Sequence, residues 1–179
     1  GEVAAGASYD FGNGFTSAFG LQTGNNNVLT EESQDALALN GAYTGEKYGV
    51  SITYLTADNA DGTDTDTATA FNAYYTPDSF PSISIGYETG HLGGAASSVD
   101  GFESFFVGLT WDEVGPGSAG LALGHSTREG SDEEYMYEAY YAYPVNDGMT
   151  ITPLVFVKEN ATAGSSDTTG VMVKTSFSF

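Results

Sequence analysis

The residues able to do covalent chemistry are few and badly placed for it. His91 and His125 are the only histidines, and there is no cysteine. Neither histidine stands at a metal-ligand spacing or beside an evident nucleophile. Ser126 adjoins His125, but neighbours along an extended strand point to opposite faces, so the two make a poor nucleophile–base pair. The run D-N-A-D-G-T-D-T-D gathers Asp58, Asp61, Asp64 and Asp66 on one segment. Closely spaced carboxylates on a loop can take Ca²⁺, with Asp58, Asp61 and Asp64 as the candidate ligands. The spacing fits neither an EF-hand nor a nonapeptide repeat, and a solvated acidic loop is the plainer reading. An enzyme is therefore not expected, and no cofactor is implied.

What the charged residues can do is bias the passage or binding of ions. The chain has 179 residues, with 24 acidic and 4 basic, for a formal net charge of −20. Nothing on that scale of negative charge neutralises phosphates, so a nucleic-acid partner is excluded. Aromatic content of 13% and regular alternation argue against disorder. No stretch approaches the ~18 uninterrupted apolar residues of a membrane helix, and no signal-peptide pattern stands at Gly1. A membrane β-barrel leaves only alternating segments of about 10 residues, which hydropathy scans miss.

Such segments fill the sequence. The last, G-V-M-V-K-T-S-F-S-F, puts Val171, Val173, Thr175, Phe177 and Phe179 on one face and Met172, Lys174, Ser176 and Ser178 on the other. Ten earlier segments alternate likewise: Glu2–Asp10, Phe15–Gln22, Ala36–Thr44, Lys47–Thr56, Thr67–Thr76, Ser82–Gly90, Phe102–Trp111, Ser118–Ser126, Glu134–Tyr143 and Met149–Lys158. No segment holds a helical apolar period. The connections alternate too. Short ones start near Gly12, Gly45, Pro77, Asp112 and Pro144; longer ones start near Thr23, Ala57, His91, Thr127 and Glu159. With antiparallel neighbours, the short turns share one end of the sheet and the long loops the other, the asymmetry of an outer-membrane barrel.

The expected fold is all-β: an up-and-down, transmembrane antiparallel β-barrel. Eleven strands are visible here. Bacterial barrels normally have an even number, so these strands are expected to be one part of a larger barrel of about 16, with a single missing upstream strand or a miscounted weak strand at Glu2–Ser8 as the alternatives. Residues 1–179 read as one such segment, without a second domain. The inner face would be wet, carrying Asn72, Glu88, Glu138, Tyr140, Lys158 and Lys174 as pore-lining residues. Tyr48, Trp111 and Tyr143 near the short turns, with Phe179, would sit at the membrane interface. Glu31, Glu32, Asp58, Asp61, Asp64, Asp66, Asp132 and Glu133 would crowd the outer mouth and concentrate cations there.

Three stretches carry a family resemblance. Tyr137–Phe156, Y-E-A-Y-Y-A-Y-P-V-N-D-G-M-T-I-T-P-L-V-F, resembles the penultimate hairpin of cyanobacterial outer-membrane porins of the carbohydrate-selective (OprB-like) class. Val171–Phe179 is similar to their closing strand, and F-V-G-L-T-W…G-L-A-L-G over Phe106–Gly124 to the strands before it. The resemblance covers Phe102–Phe179 and implies the C-terminal part of the barrel, an outer-membrane location, a homotrimer, and passive diffusion of small hydrophilic solutes or inorganic ions. It carries over no sugar-binding residues. Two other readings stand beside it: a non-channel membrane barrel serving as adhesin or anchor, and a secreted soluble carbohydrate-binding β-protein.

Overall fold

The structure, a computed structural model, describes residues 3–24, 34–58, 64–93, 101–128, 133–160, 162 and 164–178. Eleven strands form one sheet in sequence order: β1 (Val3–Gly12), β2 (Phe15–Thr23), β3 (Asp35–Thr44), β4 (Tyr48–Asp58), β5 (Thr65–Tyr75), β6 (Ser82–His91), β7 (Gly101–Val114), β8 (Gly117–Arg128), β9 (Glu134–Asn146), β10 (Met149–Lys158) and β11 (Thr168–Phe177). Each pairs antiparallel with the next, as an up-and-down sheet requires. The expected fold class is observed, as an open sheet whose first and last strands are edges.

The turns follow from local chemistry. Between β1 and β2, Asn13 and Gly14 have φ of 53° and 83°, the mirror-image turn that suits the right-handed twist of flanking strands. Asp10 Oδ1 accepts from the Gly12 amide at 2.8 Å and braces the bulge before the turn. Gly14 also has no room for a side chain, because the Thr44 carbonyl lies where a Cβ would be. The β9–β10 turn is braced likewise, the Gly148 amide donating to Asn146 Oδ1 at 2.9 Å. Across neighbouring turns, Lys47 pairs with Asp78.

Two strands run three residues past their expected ends. β7 continues through Asp112 and Glu113 to Val114, and β9 through Pro144 to Asn146. Charged residues and proline after an aromatic look like a turn in the sequence. The ladder absorbs them instead with register shifts between Trp111 and Val114 and between Met149 and Thr150. At 14 and 13 residues these strands exceed the ~9–11 needed to cross a bilayer.

The described residues form no second layer over the sheet. Among the described residues, no hydrophobic side chain is buried.

Candidate channel lining and membrane face

The register decides which side chains share a face, since directly opposed residues project the same way. Four overlapping runs of apolar partners step across the sheet: Phe19–Leu39–Tyr54, Ile52–Phe71–Tyr87–Phe105, Ile85–Val107–Leu123–Tyr137–Val157 and Val155–Val171. The apolar residues of β2 to β11 thus share one surface, the runs overlapping at β4, β6, β7 and β10. A slip of one residue in any strand would break it.

The aromatics expected at an interface lie on this face near the short turns. Phe15 and Tyr43 are register partners with ring centroids 4.8 Å apart, and Tyr43 and Tyr48 are 5.4 Å apart. Tyr48 opposes Tyr75, Trp111 opposes Ala119, and Tyr143 opposes Ile151. Toward the long connections the same face turns polar, with Thr67, Thr69, Thr89, Glu103 and Thr127. There His125, 8% exposed, packs between Phe105 (5.2 Å) and Tyr135 (4.8 Å), with Nε2 3.9 Å from Glu133 Oε2. Ser126 is on the opposite face, paired with Ser104 and Glu134.

That opposite face is small and polar. One row of partners reads Ser8–Ala18–Asn40–Thr53–Ala70–Glu88–Ser104–Ser126–Glu134 across nine strands. Asn40 Nδ2 donates to Thr53 Oγ1 at 2.8 Å within it. Lys158 Nζ is 3.3 Å from Glu134 Oε2, so this lysine is already matched to a carboxylate. Glu88, Glu138 and Lys174 make no ion pair among the described residues. Asn72 is opposite Ser51 and Gly86. All six residues expected to line a pore therefore share one face.

The polar face also holds aromatics, of which only Tyr140 is expected from the sequence. Tyr74, Phe102, Phe106, Tyr140 and Phe156 lie there, and each opposes a glycine: Gly49, Gly90, Gly86, Gly120 and Gly170. At every one of these glycines a Cβ would run into the partner ring. The rings fold flat over the bare backbone instead of standing out from the wall. The available signal was glycine and aromatic on the same face of adjacent strands, readable only once the register is known.

The acidic segments have local duties. Asp58 accepts from the Asp35 amide and from Thr65 Oγ1, both at 3.3 Å. Asp64 accepts from the Thr65 amide and Asp66 from the Gly93 amide, both at 2.8 Å. Glu133 accepts from the Tyr135 hydroxyl at 3.1 Å. No group of metal-binding side chains gathers among the described residues. Glu31, Glu32, Asp61, Asp132 and Phe179 lie outside the described residues.

A single antiparallel sheet with one apolar face, one polar face and, among the described residues, no buried hydrophobic side chain has the pattern of a membrane β-barrel wall. Three solved structures similar to this fold are porins. The anion-selective porin of Comamonas acidovorans superposes with a TM-score of 0.82 at 14% identity, over 98% of this chain and 59% of that one. A porin refined at 1.8 Å gives 0.70 at 18% identity, over 97% and 60%. A mutant of the Rh. blastica porin gives 0.65 at 12% identity, over 98% and 55%. The chain thus spans under two thirds of the length of these porins. No family model and no curated protein matches the sequence.

Proposed function

We propose that this chain forms part of the wall of an outer-membrane porin through which small hydrophilic solutes or inorganic ions diffuse passively. The observation that carries the reading is an apolar face that spans the sheet and on which, among the described residues, no hydrophobic side chain is buried. Each large side chain such as Phe19, Ile52, Phe71 or Val171 costs on the order of 1.5–3 kcal/mol if left in water. Lipid removes that cost without a second layer. Closing the sheet around its polar face then gives a hydrated interior, and transit needs no chemical step.

Glu88 and Glu138 give the interior its preference for cations. Lys158 is held by Glu134, which leaves Lys174 to moderate that preference. Asn72 and Tyr140 line the same wall. Acidic residues at the long connections, Asp58, Asp64, Asp66 and Glu133 among them, raise cation concentration at the mouth. The similar Comamonas porin is anion-selective; the sign of selectivity belongs to lining charges rather than to the fold. Tyr48, Trp111 and Tyr143 anchor the short-turn end at the headgroups. Assembly as a homotrimer, an OprB-like cyanobacterial origin and a C-terminal position in the barrel rest on the sequence resemblance.

The test is single-channel conductance of the complete protein in a planar bilayer under a salt gradient. The expected result is ohmic conductance with a cation-selective reversal potential. Glu88→Gln with Glu138→Gln should lower the cation-to-anion permeability ratio roughly twofold or more. Absence of conductance in correctly inserted protein would favour an anchoring barrel with a plugged interior.

A further inference from the structure

We infer a binding site for a small organic cation on the polar face, between β7 and β10. It rests on the porin reading only in taking that face as the channel interior. The site is a hollow of about 280 Å³ bordered by Phe106, Ala122, Gly124, Met136, Glu138 and Phe156. Its origin is the way two rings lean. Phe106 lies over Gly86, where a Cβ would be 2.5 Å from a ring carbon, and so tilts toward β6. Phe156 lies over Gly170 and tilts toward β11. The rings part in opposite directions and uncover the strands between them. On β8 the uncovered floor is Ala122 and Gly124, which are too small to refill it.

One charged group belongs to this hollow. Glu138 directly opposes Ala122 on one side and Phe156 on the other. It makes no hydrogen bond or ion pair among the described residues. The nearest lysine along the ladder, Lys158, opposite Met136, is engaged by Glu134 at 3.3 Å. An unmatched carboxylate beside two aromatic rings and a thioether complements an ammonium with a compact apolar body. The charge meets Glu138, while the carbon skeleton meets Phe106, Phe156 and Met136. A bare metal cation gains nothing from the rings at its preferred oxygen distances, and a neutral aromatic gains nothing from the carboxylate. The volume, at the small end for ligand pockets, sets the size class to a single-ring or short-chain amine.

The test uses benzyltrimethylammonium as probe, with benzyl alcohol as its neutral counterpart, on the complete protein in lipid nanodiscs. Binding is followed by shifts of the Met136 methyl resonance. The site predicts saturable binding of the ammonium, at least roughly tenfold weaker binding of the alcohol, and a loss of roughly tenfold or more with Glu138→Gln. Ala122→Phe, which fills the floor, should abolish binding while leaving the carboxylate in place. Equal affinity for both probes, or indifference to both substitutions, overturns the proposal. Bilayer conductance is recorded separately. Carboxylate-dependent binding without conductance would keep the site and sink the channel, whereas conductance without binding would do the reverse.

Discussion

Glycine has two separate jobs in this wall, and substitution distinguishes them. At Gly14 the backbone is in the left-handed region, and the obstacle to a side chain is the Thr44 carbonyl, which cannot move without breaking the β3 ladder. Gly14→Ala should therefore cost about 1–3 kcal/mol, seen as a lower urea midpoint for unfolding from lipid vesicles. At Gly170 the obstacle is only the Phe156 ring. The ring can swing away, and the direction left open to it is the interior. Gly170→Ala should cost less stability, nearer the lower end of overpacking at about 1 kcal/mol, yet reduce single-channel conductance by narrowing the passage. Equal stability losses with unchanged conductance would show that the ring was never held against the wall. Alternation along each segment was enough to place Glu88, Glu138 and Lys174 on one side. The glycine–aromatic pairs were invisible to it, because they join residues 12 to 25 positions apart, through a register that single strands do not encode.

Strands and turns carry the next level of information. The short turns were legible because their residues are chemically constrained: Asn13-Gly14 must have positive φ, and Asp147-Gly148 follows a side chain that caps it. Strand ends were less legible where the ladder tolerates proline or charge, as at Pro144 and Asp112. The Lys47–Asp78 pair links the β3–β4 turn to the β5–β6 connection, and the hydrogen bond that the Lys47 ammonium donates to Asp78 holds the lysine pKa above its ordinary 10.5. A raised folded-state value means the contribution is complete below the unfolded pKa, near 10.5, and disappears as pH climbs through the higher folded value. The site is exposed, so the effect on global stability is small and salt-sensitive. Nitrogen chemical shifts of the Lys47 ammonium should titrate later than those of Lys47 in an Asp78→Asn variant. Coincident titration curves would mean the turns are not tied together in solution.

At the scale of the molecule, every conclusion turns on which face meets lipid, and the chain supplies its own probe. It has 1 tryptophan. Trp111 opposes Ala119 on the apolar face, three residues from the end of β7, as Tyr143 is from the end of β9. A ring with an apolar body and one N–H donor is most stable where acyl chains meet headgroups. In lipid vesicles its emission should be blue-shifted and shielded from acrylamide. Lipids brominated high on the acyl chain should quench it more strongly than lipids brominated near the chain end. The polar face offers an internal contrast: Tyr140→Trp with Trp111→Phe moves the indole to the other side of the wall, opposite Gly120. That variant should lose lipid quenching and gain acrylamide quenching if a water-filled interior lies there. Should Trp111 itself be reached by acrylamide and ignored by brominated lipid, the apolar surface would have to be covered by protein, and the amphipathic sheet would be one layer of a packed body rather than the wall of a channel.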